Sequence, residues 1–436
     1  RQRRLLPRRR AMAKSSGAPP GRGYAWRVHR ILALYVLGVL CFLGLMAWAE
    51  AQGLSRLWIG PIFLFLSVMV YAGIGVYGRT TDAEEYYVAG RRIPPMYNGM
   101  AAAADWMSAA SFISLSGALY LQGFSGTPES AGGLAYLLGW TGGFCLVAIL
   151  VAPHLRAMGL YTVPDFFHVR FGGRWPRVIA ALAAMLTSFT YVVAQIYGVG
   201  LIASRLTGVQ FEIGILLGLG GVLLCSFLGG MRAITWTQVA QCIVLLIAYL
   251  TPVTLLSARS TGVPIPQIMY GEALQQITRL EAAQGITSSY VTPFNNWTPW
   301  NFLALMFCLM AGTAGLPHIL IRFYTVPNVG AARRSVGWAL LFICLLYFTA
   351  PAYAAFSRLE VMQNVVGKPI TAVPEWAVNW ANVGLIEYTD LTTLEHLPIT
   401  GLPAWADTLV QSGELTITDR NGDGLVEINE LGGTAT

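Results

Sequence analysis

Charge is the scarcest resource in this chain: Asp, Glu, Lys and Arg make up 11% of its 436 residues, where a soluble domain carries about 25%. With 55% hydrophobic residues and a mean hydropathy of +0.56, it lacks the polar surface that a water-soluble fold needs. Cysteine is sparse too. Cys41, Cys145, Cys225, Cys242, Cys308 and Cys344 all fall in apolar runs, without CxxC spacing or paired histidines, which excludes a zinc cluster or disulfide framework and predicts buried thiols. No set of nucleophile, base and oxyanion donors stands at a cytoplasmic helix end, which argues against an enzyme. No cleavable leader is visible either, because the first apolar run is followed directly by another.

The apolar runs are long, and they set the fold class. Those long enough to cross a bilayer are Ile31 to Ala49, Leu57 to Gly78, Asn98 to Leu121, Leu134 to Ala152, Val178 to Leu206, Glu212 to Gly230, Ile234 to Leu256, Asn301 to Ile321 and Val336 to Phe356. They are too long for barrel strands, and backbone in hydrocarbon must satisfy its own hydrogen bonds. The expected fold is an all-α polytopic membrane protein of about nine helices.

Basic residues orient it. The first 30 residues hold ten Lys and Arg, and connections after even-numbered spans hold Arg79, Arg91, Arg92, Arg156, Arg170, Arg174, Arg177, Arg232, Arg322, Arg333 and Arg334. With 21 of 28 basic residues on one side, the positive-inside rule predicts a cytoplasmic N-terminus and an extracytoplasmic C-terminus. The net charge of +7 thus sets topology and gives no reason to invoke nucleic acid. Two outer segments exceed simple connections: Ser257 to Trp300, with an amphipathic stretch from Ile268 to Leu280, and the stretch after Phe356, with eleven acidic and three basic residues. The chain opens on Arg1 and closes after Leu431 without another helix. The expectation is a start at Met12 and a truncated or frameshifted reading of a longer gene.

Three stretches carry chemistry. Asp419, Asn421, Asp423, Leu425, Glu427 and Glu430, with Gly424 at the turn, match the ligand positions of a twelve-residue EF-hand loop. The alternatives are Ca2+ bound at about 10⁻⁴ to 10⁻³ M or an acidic turn without an ion. The third span is dense in small and hydroxylated residues around Asp105, Ser108, Ser111, Ser114 and Ser116. It reads either as a close helix interface or as a helix partly unwound to offer carbonyls to a cation. Asp105 is a functional carboxylate, or else a group that is solvated or paired with a loop arginine. In the eighth span Gly312, Gly315 and Pro317 predict a second discontinuous helix. His318 beside them is a hydrogen-bonding strut or a proton relay. Tyr191, Gln195 and Tyr197 in the fifth span line a substrate path or tie helices together.

Together, Thr81 to Arg92, the Ser-rich third span, Tyr161-Thr-Val-Pro164-Asp-Phe-Phe, Gly229-Gly230-Met-Arg232 and Leu316-Pro317-His318-Ile-Leu-Ile-Arg322 resemble the sodium:solute symporters, and within them the acetate and monocarboxylate permeases. The resemblance implies a LeuT-like core of two inverted repeats, with the third span as core helix one and the eighth as core helix six. It implies Na+ as coupling ion, held by the carbonyls of Ala104 and Met107 together with a Ser/Thr pair on a core helix eight that this chain does not reach. It implies substrate contacts at Ser108, Ser111 and Gln195. Residues 1–30 then form a basic cytoplasmic N-terminus and 31–97 two accessory helices with a loop. Core helices one to seven occupy 98–356, and 357–436 form an acidic outer segment containing the 419–430 loop. The implied activity is Na+-coupled uptake of a small organic anion across a bacterial plasma membrane, by a chain that is itself an incomplete copy. Its rivals are a symporter-like sensor module and a non-functional fragment.

Overall fold

The computed structural model describes residues 22–366, 373–382, 396–402, 410, 416–417, 419, 422–426 and 431–432, apart from 109, 128–129, 284–285, 287–288 and 295. It divides into two compact units, Arg1–Tyr270 with Tyr290–Ala355, and Gly271–Ser289 with Phe356–Thr436.

The first unit is a helical membrane bundle. Its elements begin with α1 (Arg22–Ala51), α2 (Arg56–Tyr77), α3 (Ala83–Val88) and α4 (Pro95–Trp106). After α4 come a π-helical turn, Ala110–Ser114, and α5 (Leu115–Gln122). Helix α6 (Gly133–Leu146) passes through a second π turn into α7 (Ala152–Met158), and α8 (Val163–Phe171) is a short helix before α9 (Trp175–Thr207). The 51-residue α10 (Phe211–Thr261) bends at Gly230, and α11 (Pro266–Ala283) follows it. Then come α12 (Pro299–Ala314), α13 (Pro317–Leu320), a 3₁₀ turn Ile321–Tyr324, α14 (Val329–Tyr347) and α15 (Ala350–Asn364).

Among the described residues six helices are long and apolar enough to cross a membrane, and α12 with Pro317–Tyr324 forms a further span bent by 49°. The two other expected spans take different forms. The third is divided between α4 and α5, as the alternative of a partly unwound helix requires. The sixth is the leading part of α10, which ends where Gly230 adopts φ 50° and ψ −144°. Only glycine serves there, since a Cβ would come within 2.5 Å of the Tyr86 carbonyl.

Side-chain size governs the packing, because lipid gives no hydrophobic push between helices. Helix α4 buries Asn98, Gly99 and Ala101 to Ala103 against α14, whose Ala332, Ser335, Val336, Ala339 and Ile343 recur at helical spacing. Gly139 and Gly143 of α6, four apart, let α12 approach until a Cβ on Gly143 would lie 2.4 Å from that of Thr313. Of the six thiols expected to be buried, Cys242 is buried, Cys145 and Cys344 are half-buried, and Cys41 and Cys308 are exposed, while the side chain of Cys225 lies outside what the structure describes. On a helix face turned to lipid a thiol meets an apolar medium, so being in an apolar run does not require burial in protein.

The second unit holds the later part of α11 and of α15, α16 (Glu375–Asn382) and a two-stranded antiparallel pair, β1 (Thr416–Ile417) and β2 (Leu431–Gly432). Arg358 and Glu281 form an ion pair of 3.5 Å within it.

Gly99→Ala drives a methyl into the Cβ of Trp338 at 2.5 Å and the Ser335 carbonyl at 2.8 Å. It is expected to destabilise the chain by about 1–3 kcal/mol, read as thermal unfolding in detergent micelles. Gly117→Ala, with nothing within 4 Å, is the control and is expected to leave the midpoint where it was or raise it.

Candidate functional site

The third-span segment breaks at Met107. Helix α4 runs regularly to Trp106, and Met107 then leaves helical geometry at φ −77° and ψ 49° while its N–H still reaches the Ala103 carbonyl at 2.8 Å. Among the described residues no backbone N–H satisfies the carbonyls of Ala104 and Met107. Side chains hold the neighbouring groups. The Ser111 hydroxyl donates to the Trp106 carbonyl at 2.7 Å and lies 2.7 Å from the Tyr347 hydroxyl. Ser116 lies 2.5 Å from the Tyr249 hydroxyl. Tyr191 donates to the Asp105 carbonyl at 3.3 Å.

The second break falls between α12 and α13. Gly315 ends α12, Leu316 is extended at φ −67° and ψ 117°, and Pro317 opens α13 as its first residue, where its missing N–H removes no helix bond. Gly315 and Pro317 thus flank a discontinuity, and Gly312 lies in the last turn of α12, its carbonyl accepting from the Gly315 N–H at 3.1 Å.

Asp105 and Arg322 join the two breaks. Arg322 Nε lies 2.5 Å from Asp105 Oδ2 and Nη2 lies 3.1 Å from Oδ1, a bidentate pair whose side chains are 3% and 10% exposed. Arg322 Nη1 donates to Thr235 at 2.9 Å, and Gln238 bonds both partners, accepting from Arg322 and donating to Asp105. Asn98 extends the network, donating to the Arg322 carbonyl at 3.1 Å and to Ser335 at 2.7 Å and accepting from Thr325 at 2.7 Å. Of the two readings of Asp105, the arrangement is pairing with an arginine. That arginine is not the solvated loop cation expected from sequence, because the 49° bend carries it into the core. Arg156 is buried likewise, donating to the carbonyls of Val326 at 2.6 Å and Pro327 at 2.5 Å.

His318 stacks on Tyr191 with centroids 4.4 Å apart and rings inclined by 26°. Its Nδ1 is buried without a hydrogen bond among the described residues, which does not suit the strut reading at that atom. Gln195 lies one turn beyond Tyr191 on the same face of α9. Tyr197 is exposed and packs on Phe211 instead. Thr235 and Gln238 were not singled out from sequence, although two polar residues three apart in an apolar run are a usable signal. The hydroxyls of Tyr249 and Tyr347 carry no comparable signal.

In the acidic loop Asp419 accepts from the N–H groups of Gly422 at 2.6 Å and Gly424 at 3.1 Å, and Asp423 from that of Leu425 at 2.8 Å. Leu425 forms an antiparallel bridge to Pro398. Asn421, Glu427 and Glu430 lie outside the described residues. The strand β2 follows the loop where an EF-hand would continue into a helix, since Leu431 and Gly432 pair with β1.

Asp105→Asn leaves the Arg322 charge buried and uncompensated, an expected destabilisation of about 3–5 kcal/mol. The double variant D105N/R322M is expected to recover most of it. A double-mutant cycle on unfolding in micelles measures the coupling.

The sequence model of the sodium:solute symporter family matches residues 86–386. An uncharacterized symporter of Cupriavidus necator is 40% identical over 80% of this chain and 65% of its own length. The uncharacterized symporter YwcA of Bacillus subtilis is 32% identical over 68% of this chain and 57% of its own. The chain thus spans less than two thirds of either relative. A Na+-coupled sialic acid symporter, solved in a substrate-bound outward-open state, shares the fold with a TM-score of 0.57 over 72% of this chain and 62% of that one, at 18% identity. The two broken helices held by a buried ion pair, and a family match over most of the chain, make this multi-pass membrane protein a member of the sodium:solute symporter family.

Proposed function

We propose that the chain carries the cation-coupled core of a secondary transporter, not an enzyme, that moves a small monocarboxylate such as acetate together with Na+ across a bacterial plasma membrane. The observation that carries this reading is the pair of helix breaks, at Met107 and at Gly315–Leu316, bound to each other through Asp105 and Arg322. Broken helices of secondary transporters place unwound carbonyls and half-helix ends at ions and substrates. In this reading the carbonyls of Ala104 and Met107 hold Na+, a role supported by their lack of helix bonds among the described residues. Ser108, Ser111 and Gln195 line the substrate path, Ser111 through the hydroxyl contact it shares with Tyr347. The monocarboxylate is supported by the likeness of the five sequence motifs to the acetate branch. A cytoplasmic N-terminus and an acidic segment outside are supported by the distribution of basic residues. Each Na+ entering would contribute about 2.3 kcal/mol per 100 mV of membrane potential.

Two measurements test this. Amide hydrogen exchange over residues 104–112, followed in micelles, is expected to slow in Na+ relative to K+. Equal rates in both would remove Ala104 and Met107 as ligands. In vesicles holding a full-length transporter that carries this core, uptake of labelled acetate is expected to require an inward Na+ gradient, and Gln195→Ala to raise the half-saturating acetate concentration about fivefold, the loss of one hydrogen bond of about 1 kcal/mol. Gradient-independent entry argues against symport.

The proposal also assigns Ca2+ to loop 419–430, a reading supported by the spacing of its oxygen-bearing residues. Calorimetry is expected to show binding near millimolar Ca2+ that Asp419→Ala abolishes.

A further inference from the structure

The two half-helices that lead away from the breaks end side by side, and the last turn of α7 holds both. Ile93, two residues before α4, donates its N–H to the carbonyl of Thr325, which follows the 3₁₀ turn, at 3.3 Å. Arg156 of α7 donates from Nε to the Val326 carbonyl at 2.6 Å and from Nη2 to that of Pro327 at 2.5 Å. At the end of the same helix, the Gly159 carbonyl accepts from Arg91 Nη2 at 2.8 Å. The turn from Arg156 to Gly159 is therefore bonded both to the approach to the first broken helix and to the exit from the second.

Two features oppose this closed arrangement. Both arginines are buried, Arg91 to 3% exposure and Arg156 to 7%, yet Arg156 has no carboxylate partner among the described residues. Arg91 has Glu84, which is half-exposed, at 3.3 Å and the ring of Tyr161 at 5.2 Å. Carbonyl dipoles satisfy the donors of Arg156 but leave its charge uncompensated. The backbone is strained as well. Ala89, Gly90 and Arg91 all lie in the left-handed region, at φ 52°, 61° and 53°, where a residue with a Cβ is disfavoured. Such strain persists only where surrounding contacts hold it, and it gathers at switches. Bonds that favour closure, set against a buried charge and a strained turn that disfavour it, make an element with two accessible states.

We propose that Arg156 is a latch, which with Arg91 closes the way between the two half-helices beneath the breaks and opens it on releasing Val326 and Pro327. Arg156 is a positioning residue here, because it acts through the backbone it holds. That this end faces the cytoplasm, and that the latch serves solute release, rests on the symport reading above. The latch itself does not.

The test places a thiol under the latch by Val326→Cys in the full chain in micelles. Val326 is fully buried, and its carbonyl rather than its side chain takes the Arg156 bond. Alkylation by N-ethylmaleimide is read at each thiol by peptide mass spectrometry, with Cys242, fully buried in α10, reporting general unfolding in the same molecules. R156Q is expected to speed labelling at position 326 about 100-fold, tenfold for each bond lost at about 1.4 kcal/mol apiece, and to leave Cys242 unchanged. R156K, which keeps the charge but not the two-pronged geometry, is expected to fall between. Equal acceleration at both thiols would make Arg156 a general support of the fold and overturn the proposal, as would no acceleration at 326. Where R156Q fails to fold, A89G decides, since it removes left-handed strain while keeping every bond. It is expected to slow labelling at 326 about tenfold, from about 1.4 kcal/mol of strain, and an unchanged or faster rate sinks the latch. In a full-length transporter that carries this core, R156Q is expected to lower the maximal uptake rate at least tenfold with the half-saturating acetate concentration within twofold. A changed half-saturating concentration at an unchanged maximal rate would count against the latch. Because the labelling needs neither Na+ nor acetate, latched labelling without Na+-driven uptake would refute the symport reading and leave the latch standing.

Discussion

The ion pair between Asp105 and Arg322 is the contact on which the first unit's arrangement turns. Asp105 stands two residues before the break at Met107, in the last turn of α4, and Arg322 stands in the 3₁₀ turn that follows α13. Neither charge would tolerate burial alone, since desolvation outweighs any single attraction in a medium of low dielectric constant. The structure answers with a dense set of partners: two bonds within the pair, Gln238 bonded to both partners, Thr235 on Nη1, and Asn98 on the Arg322 carbonyl. A network filled in this way is rigid and admits one arrangement of its parts. It brings two discontinuous helices from opposite halves of the chain into register.

The rest of the unit makes that register possible. With lipid outside, helices gain little from burying more apolar surface, so the close approaches occur where side chains are smallest. Gly99 and the alanines of α4 admit α14, and Gly139 and Gly143 of α6 admit α12. The same two contacts bring helices on either side of the first break against helices on either side of the second. Arginines in the connections add to this. Arg156 grips the carbonyls after the second break, and Arg91 donates to the Gly159 carbonyl at 2.8 Å, so cations counted in sequence as orientation signals also serve as buried struts.

The membrane class, the helical spans and the interruption of the eighth span were legible in the residues themselves. Apolar run length is a local property fixed by bilayer thickness, and Gly312, Gly315 and Pro317 break a helix through their own backbone restrictions. Ambiguity remained wherever the outcome depended on a distant partner. The Ser-rich third span suited both a tight interface and a broken helix, and in the structure it is both, with α14 against Gly99 and a break eight residues later.

What the sequence determined alone was therefore the medium, the spans and the weak point of the eighth, because these follow from side chains within one or two turns of each other. Only the tertiary structure decided that Asp105 meets Arg322, 217 residues away, that Tyr191 bridges to His318, and that Cys41 and Cys308 face outward while Cys242 is enclosed. An arginine in a connection reads the same in sequence whether it ends in water or in the core. The difference is made by a bend of 49° and by the partners waiting at its end.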